Sequence, residues 1–133
     1  MNVVIDASAA IEFLLRTPVG LRIEGMITDA TLFAPELLDV EVTAVLRRHL
    51  LHGILGEERA GQALDDLVAW DVQRISHALL VRHAWDLRHI VSAYDAFYLA
   101  AARRQSASLL TSDGPLARLP IATGVVVHDV RPK

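Results

Sequence analysis

The chain has 133 residues, 53% of them apolar, no cysteine and a formal net charge of −3. That length suits one domain, 1–133, with a core of its own, and the high apolar share points to two buried layers or an oligomer interface. A disulfide framework, a thiolate nucleophile and a zinc–thiolate site are excluded, and so is a bulk polycation: any nucleic-acid contact must come from a local patch.

Twelve of the 13 basic residues are arginine, and the one lysine is Lys133. Chemistry that needs an interior lysine is therefore not expected, while arginine can still grip phosphate through two nitrogens. No apolar run reaches the roughly 18 residues that cross a bilayer. The opening MNVVIDAS lacks the basic region and long apolar segment of a secretory leader. A cytoplasmic protein with no membrane contact is the expectation.

In chain order, NVVID (2–6) reads as a short buried strand, apolar and β-branched on both faces. Ser8 is placed to cap a helix over 9–16, and a second helix over 19–29 enters after Pro18. LFAP (32–35) is a brief strand. ELLDVEVTAVLRRHLLHG (36–53) is a helix that stops at Gly53, and 57–70 is the next. VQRI (72–75) reads as a strand, 77–89 and 92–105 as helices, SLLTSD (108–113) as a strand before a turn, and GVVVHDV (124–130) as the last strand. Strands alternating with helices predict an α/β fold with a mostly parallel sheet, and strands this apolar suit a sheet covered on both faces.

Ligands of open parallel sheets bind beyond the carboxyl ends of the strands. Asp6 closes one strand and Asp113 another, although both are also residue types that start helices and turns. Glu41 shares its helical face with Leu37, Leu38, Ala44 and Val45, so it lies on or beside an apolar stripe, unless it sits at the stripe's edge and reaches water. Asp39 points elsewhere and suits first-turn dipole compensation. Asp95 shares its face with Val91, Ser92, Tyr98 and Leu99, and Ser92 to Asp95 also fits a capping box.

Four carboxylates cannot all be charged in a small space without a countercharge, and no interior lysine supplies one. A hard divalent cation would, and Mg2+ or Mn2+ suits carboxylate-plus-water coordination. Such a site fits metal-assisted phosphodiester hydrolysis. The six histidines form no ligand cluster and read as structural or surface residues.

The segments VVIDASAAIEFLL, APELLDVEVTAVLRR, SAYDAFYLAAARR and LLTSDGPLA occur in the order of the PIN-domain ribonucleases, and nearly the whole chain resembles the VapC-type toxins of bacterial type II toxin–antitoxin pairs. The family's acidic quartet matches Asp6, Glu41, Asp95 and Asp113, its hydroxyl residue two places before the last acid matches Thr111, and Ser8 matches a small hydroxyl residue after the first. Relatives often carry Asn two places after the glutamate, where this chain has Thr43. The resemblance implies a three-layer α/β/α sandwich around a five-stranded parallel sheet. It implies Mg2+- or Mn2+-dependent endonucleolytic cleavage of RNA, with 5′-phosphate and 3′-hydroxyl ends. It also implies a homodimer in a higher-order complex with a VapB-type antitoxin, through which alone operator DNA is bound.

On that basis Asp6, Asp95 and Asp113 are expected to hold the metal with Glu41 completing the set, while Ser8 and Thr111 orient ligands. Arg16, Arg47, Arg48, Arg103 and Arg104 are candidate RNA contacts, although both Arg pairs also suit helix C-termini. Leu50, Leu51, Ile54 and Leu55 exceed what one helix stripe needs, and either cover a partner or close the core. Tyr94, Phe97 and Tyr98 are spaced for core packing more than for stacking on bases. A phosphoacceptor receiver domain is disfavoured: it needs an acidic pair near the first strand and a lysine after the last. A phosphatase of the Asp-x-Asp type fails at Ala7-Ser8. A PIN-like binding module that has lost activity is the stronger rival.

Overall fold

The computed structural model describes residues 1–118 and 124–132. Lys133 lies outside them. Five strands form one sheet in the order β3-β2-β1-β4-β5: β1 (Asn2–Ile5), β2 (Thr31–Pro35), β3 (Val72–Ile75), β4 (Ser108–Thr111) and β5 (Val127–Asp129). Every pairing is parallel, with Val4 opposite Phe33 on one side and Leu109 on the other. The expected sandwich is present.

The topology decides which helix covers which face. The steps β1 to β2 and β2 to β3 run the same way along the sheet. They are bridged by α1 (Ala7–Leu14) with α2 (Pro18–Ile27), and by α3 (Leu37–Leu51) with α4 (Glu57–Ala69). Right-handed crossovers therefore put these four on one face, where α1 packs on α2, α3 and α4. The return from β3 to β4 carries α5 (Val81–Asp86) and α6 (Ala93–Arg104) across the opposite face, and α6 lies along β2, β1 and β4. A short α7 (Gly114–Ala117) follows β4. Val3, Val4, Ile5, Leu109 and Leu110 are buried between the layers.

Several sequence expectations need correction. Asp6, not Ser8, caps α1, accepting from the Ala9 amide at 3.0 Å; Ser8 lies inside the first turn. The helix expected over 77–89 is a 3-10 turn (His77–Leu79) followed by α5, which stops at Asp86. The His77 side chain is engaged outside its own segment. Its Nε2 accepts the Leu37 amide at 2.8 Å and so satisfies a free donor at the start of α3. The last strand is limited to Val127–Asp129 at the sheet edge. Asp39, beyond its place in the first turn of α3, pairs with Arg74 at 2.9 Å. Leu51 and Ile54 are exposed, whereas Leu55 packs on the core.

Candidate active site

Between β1 and β4 the chain changes direction along the sheet. That switch point is where open parallel sheets leave a crevice at the strands' carboxyl ends. Asp6 follows β1 there, and Asp113 follows β4 after one residue. Glu41 reaches the same place from the second turn of α3, and Asp95 from the first turn of α6. The four acids line one cleft of about 250 Å3, together with Ala7, Ser8, Ala44, Val45, Arg48 and Tyr98. Elements from both faces of the sheet thus meet at one rim.

Asp6 is the most buried of the four, at 4% exposure. Ser8 Oγ donates to its Oδ1 at 2.7 Å, and Ser8 Oγ in turn accepts the Ser112 amide at 2.9 Å. A serine has one hydrogen to give, and Asp6 takes it. At the 3.2 Å contact between Ser8 Oγ and Thr111 Oγ1, Thr111 is therefore the donor. Thr111 Oγ1 accepts the Asp113 amide at 2.9 Å. One hydroxyl relay thus ties the first acid to the loop that carries the last. Thr43, by contrast, bonds back to the Asp39 carbonyl at 2.7 Å and takes no part in the cleft.

The electrostatics are those of crowded, partly dehydrated acids. Burial pushes the Asp6 carboxyl up to about 6, against its hydrogen bonds, and the Asp113 charge adds to the rise. Glu41 is raised by burial, lowered in part by the Tyr98 hydroxyl, and raised further by Asp95. Asp95 is raised by burial and then by Asp113. Each acid feels the next. Asp113 caps α7 through its backbone, without a side-chain cap bond.

Ser92 accepts the Asp95 amide at 3.3 Å, so the capping half of the expected box forms while the Asp95 carboxylate faces the cleft. All four acids offer hard oxygen donors, and Glu41 Oε1 is buried with no hydrogen-bond partner in the structure. This donor set fits a small divalent cation that keeps several waters. It is not a closed cage, since among the described residues no three His, Cys, Asp or Glu side chains are grouped to hold a metal by themselves.

The expected arginines divide by position. Arg48 lies seven residues after Glu41, on the face shared with Ala44 and Val45, and it lines the cleft. Arg47 is exposed and does not line it. Arg103 and Arg104 end α6, shortly before β4 begins, and so sit toward the strands' amino ends, away from the acid rim. Arg16 follows α1 and lines a separate cleft with Phe13 and Trp70.

The sequence places Tyr98 on the Asp95 face and in the core without giving it a part in the cleft, and it does not single out Arg131. Tyr98, 2% exposed, belongs to the core and also borders the acids; its spacing of three from Asp95 was the available signal. Arg131 is held by Asp129, which accepts from Nε at 3.0 Å and Nη2 at 2.6 Å. The guanidinium lies across Gly114, where a Cβ would stand 2.5 Å from Nη1, and it feels the Asp113 charge. No local pattern announces that contact.

Residues 3–122 match the PIN-domain family model. The chain belongs to the PIN-domain family. It is 38% identical over 119 residues to Ribonuclease VapC1 of Mycobacterium tuberculosis, an alignment covering 88% of this chain and 90% of that protein. It is 29% identical to Ribonuclease VapC12 of the same species, with 87% and 90% covered. Among solved PIN-like structures, VapBC2 from Rickettsia felis, bound to a DNA fragment from its promoter, superposes with a TM-score of 0.70. That likeness covers 97% of this chain and 98% of that one at 13% identity. FitAcB from Neisseria gonorrhoeae gives 0.61, at 15% identity with 96% and 97% covered. At those identities the structural likeness concerns the fold. As a PIN domain the chain has its acids at the parallel rim, on the topology described above.

Proposed function

We propose that this PIN domain is a divalent-metal-dependent endoribonuclease, the toxin of a VapC-type toxin–antitoxin pair. The observation that carries the reading is the convergence of Asp6, Glu41, Asp95 and Asp113 from both faces of the sheet on one cleft. The ribonuclease names of the relatives at 38% and 29% identity support the RNA substrate. The VapBC2 and FitAcB complexes support an antitoxin partner, and the promoter fragment in the first supports DNA contact through that partner. Exposed Leu51 and Ile54 give apolar surface for a homodimer or for the antitoxin.

Asp6, Asp95 and Asp113 would hold Mg2+ or Mn2+, directly or through water, with Glu41 completing the set. When bound, the cation supplies an acidified water and neutralises charge on the phosphate. Ser8 fixes the Asp6 carboxylate through its Oδ1, which leaves Oδ2 for the cleft. Thr111 ties that arrangement to the Asp113 amide, so the first and last acids keep their spacing. Arg48 stands where an incoming phosphate needs a cation, and Arg131 lies beside Asp113 on the β5 side of the rim.

The test is cleavage of total cellular RNA by the purified, antitoxin-free protein with Mg2+, with Mn2+, with EDTA, and by Asp6→Asn protein. Discrete fragments that need metal and vanish in the variant are expected. Equal cleavage by the variant, or full cleavage in EDTA, overturns the reading.

A further inference from the structure

Tyr98 sits in the hydrophobic core on α6, yet its side chain also borders the acid cleft. Its hydroxyl is shut off from solvent and has no hydrogen-bond partner in the structure, and the same is true of Glu41 Oε1. One is a donor and the other an acceptor. The two groups nonetheless face each other within hydrogen-bonding reach, a contact that lowers the Glu41 carboxyl against its burial. Burial, then the contact with Glu41 and the Asp6 charge, keep the phenol protonated and able to donate, with the Ala7 backbone opposing them. A buried polar atom left unpaired is costly, and packing alone does not call for this one: phenylalanine would fill the same core space without a hydroxyl to satisfy.

Glu41 is also the acid most in need of an anchor. Asp6 is fixed by Ser8 and the Ala9 amide, and Asp113 sits on a loop tied to Thr111. Glu41 is the longest of the four, with more rotamers to lose, and the group that approaches it as an anchor is the Tyr98 hydroxyl. We propose that Tyr98 is a positioning residue: its hydroxyl donates to Glu41 Oε1 and holds that carboxylate in the cation-binding set. The inference rests on the metal-dependent reading of the cleft and adds a residue to it. A well-aligned bond between the two satisfies both atoms at once.

The test is Mn2+ titration calorimetry on the metal-free protein, comparing wild type, Tyr98→Phe, Glu41→Gln and the double variant, with thermal unfolding as a fold control. Tyr98→Phe is expected to weaken Mn2+ binding roughly tenfold, the size usual for a group that orients a metal ligand. In the Glu41→Gln background the effect should vanish, because the neutral amide, although it still accepts the bond, no longer serves as an anionic ligand to be positioned. For RNA cleavage, kcat should fall while KM stays within about twofold, since the hydroxyl faces Glu41 and not the substrate.

Glu41→Asp gives a second arm. It keeps the charge but withdraws it from the hydroxyl, so it should weaken Mn2+ in wild type and leave Tyr98→Phe no further effect. Unchanged Mn2+ affinity in Tyr98→Phe, or the same loss in both backgrounds, overturns the inference while leaving the metal site standing. A wild-type protein that binds no Mn2+ overturns both.

Discussion

The Ser8 hydroxyl donates to Asp6 Oδ1 at 2.7 Å, and at its other side it accepts from the Ser112 amide and from Thr111. Removing it therefore does three things at once. Ser8→Ala takes a hydrogen bond from a buried carboxylate, removes the Ser8–Thr111 contact, and frees an amide in the strand-to-helix loop. Losing one partner of a buried pair costs about 1–3 kcal/mol. Asp6 also loses a contact that lowers its pKa, so the pH midpoint for metal binding should move up. Denaturant unfolding and Mn2+ titration across pH 5–8 check both effects. Wild-type stability with an unmoved midpoint would mean that the relay does not hold Asp6.

Metal-free protein should be less stable at pH 7 than at pH 4.5. Asp6 has its carboxyl raised from 3.8 to about 6, and burial raises Glu41 and Asp95 as well. A raised carboxyl means that the folded state holds its proton more tightly than the unfolded chain does. The stabilisation is complete below about pH 4 and is lost as pH rises through the folded value near 6. For Asp6 alone, a rise of about two units corresponds to on the order of 3 kcal/mol.

Asp129 acts the other way, but Arg131 holds its carboxyl down to about 2, so its contribution is lost only in stronger acid. Asp6→Asn keeps the cap of α1, since asparagine accepts the same amide bond. It should flatten the fall between pH 4.5 and 7 and make the metal-free protein more stable than wild type at pH 7. Melting curves in EDTA decide the matter, and a wild-type melting temperature that climbs over this interval contradicts the assignment.

How far the sequence reaches can be judged from particular residues. The strand VQRI over 72–75 and the rim position of Asp6 follow from short apolar runs, the second ending in an acid, which is local information. Glu41 and Asp95 are legible because a carboxylate on an apolar helical face has few physical excuses. The segment expected as one helix over 77–89 is a 3-10 turn and then α5, and its first residue, His77, meets the Leu37 amide 40 residues away, a contact that periodicity cannot show. Arg103 and Arg104 read as rim bases in the sequence, but the direction of α6 places them toward the strands' amino ends, away from the acids. Tyr98 beside Glu41, and Arg131 across Gly114, are contacts between distant parts of the chain that periodicity does not encode.

That division of the arginines predicts a division in RNA binding. With Asp6→Asn protein, so that the substrate survives, Arg48→Ala should weaken binding and reduce the slope of log affinity against log salt by about 0.7, one phosphate on a single strand. Arg131→Ala should do the same from the other side of the rim. Arg103→Ala and Arg104→Ala should leave the slope unchanged. Filter binding at four salt concentrations separates the two groups. Equal losses at all four positions would mean that the strand does not follow the acid cleft.

Gly20 and Gly61 both lie inside helices, and alanine should move stability in opposite directions at the two. Alanine gains about 1 kcal/mol over glycine in helix propensity. At Gly61 a Cβ would meet no other heavy atom within 4 Å, so Gly61→Ala should keep that gain and raise the melting temperature. At Gly20 the new Cβ would fall inside the van der Waals shell of the Glu12 carbonyl and 2.9 Å from Phe13 Cα. Both are backbone of α1, which a rotamer change cannot move aside. Overpacking costs about 1–3 kcal/mol, and here α2 must shift as a body, so the loss should exceed the propensity gain. The contact lies toward the end of α1 away from Asp6, so a folded Gly20→Ala protein should bind Mn2+ as the parent does. Calorimetric melting of the two variants, with Mn2+ titration of the folded material, tests the crossing of α1 on α2. A Gly20→Ala protein more stable than the parent would show that the helices cross with more room than the structure gives them.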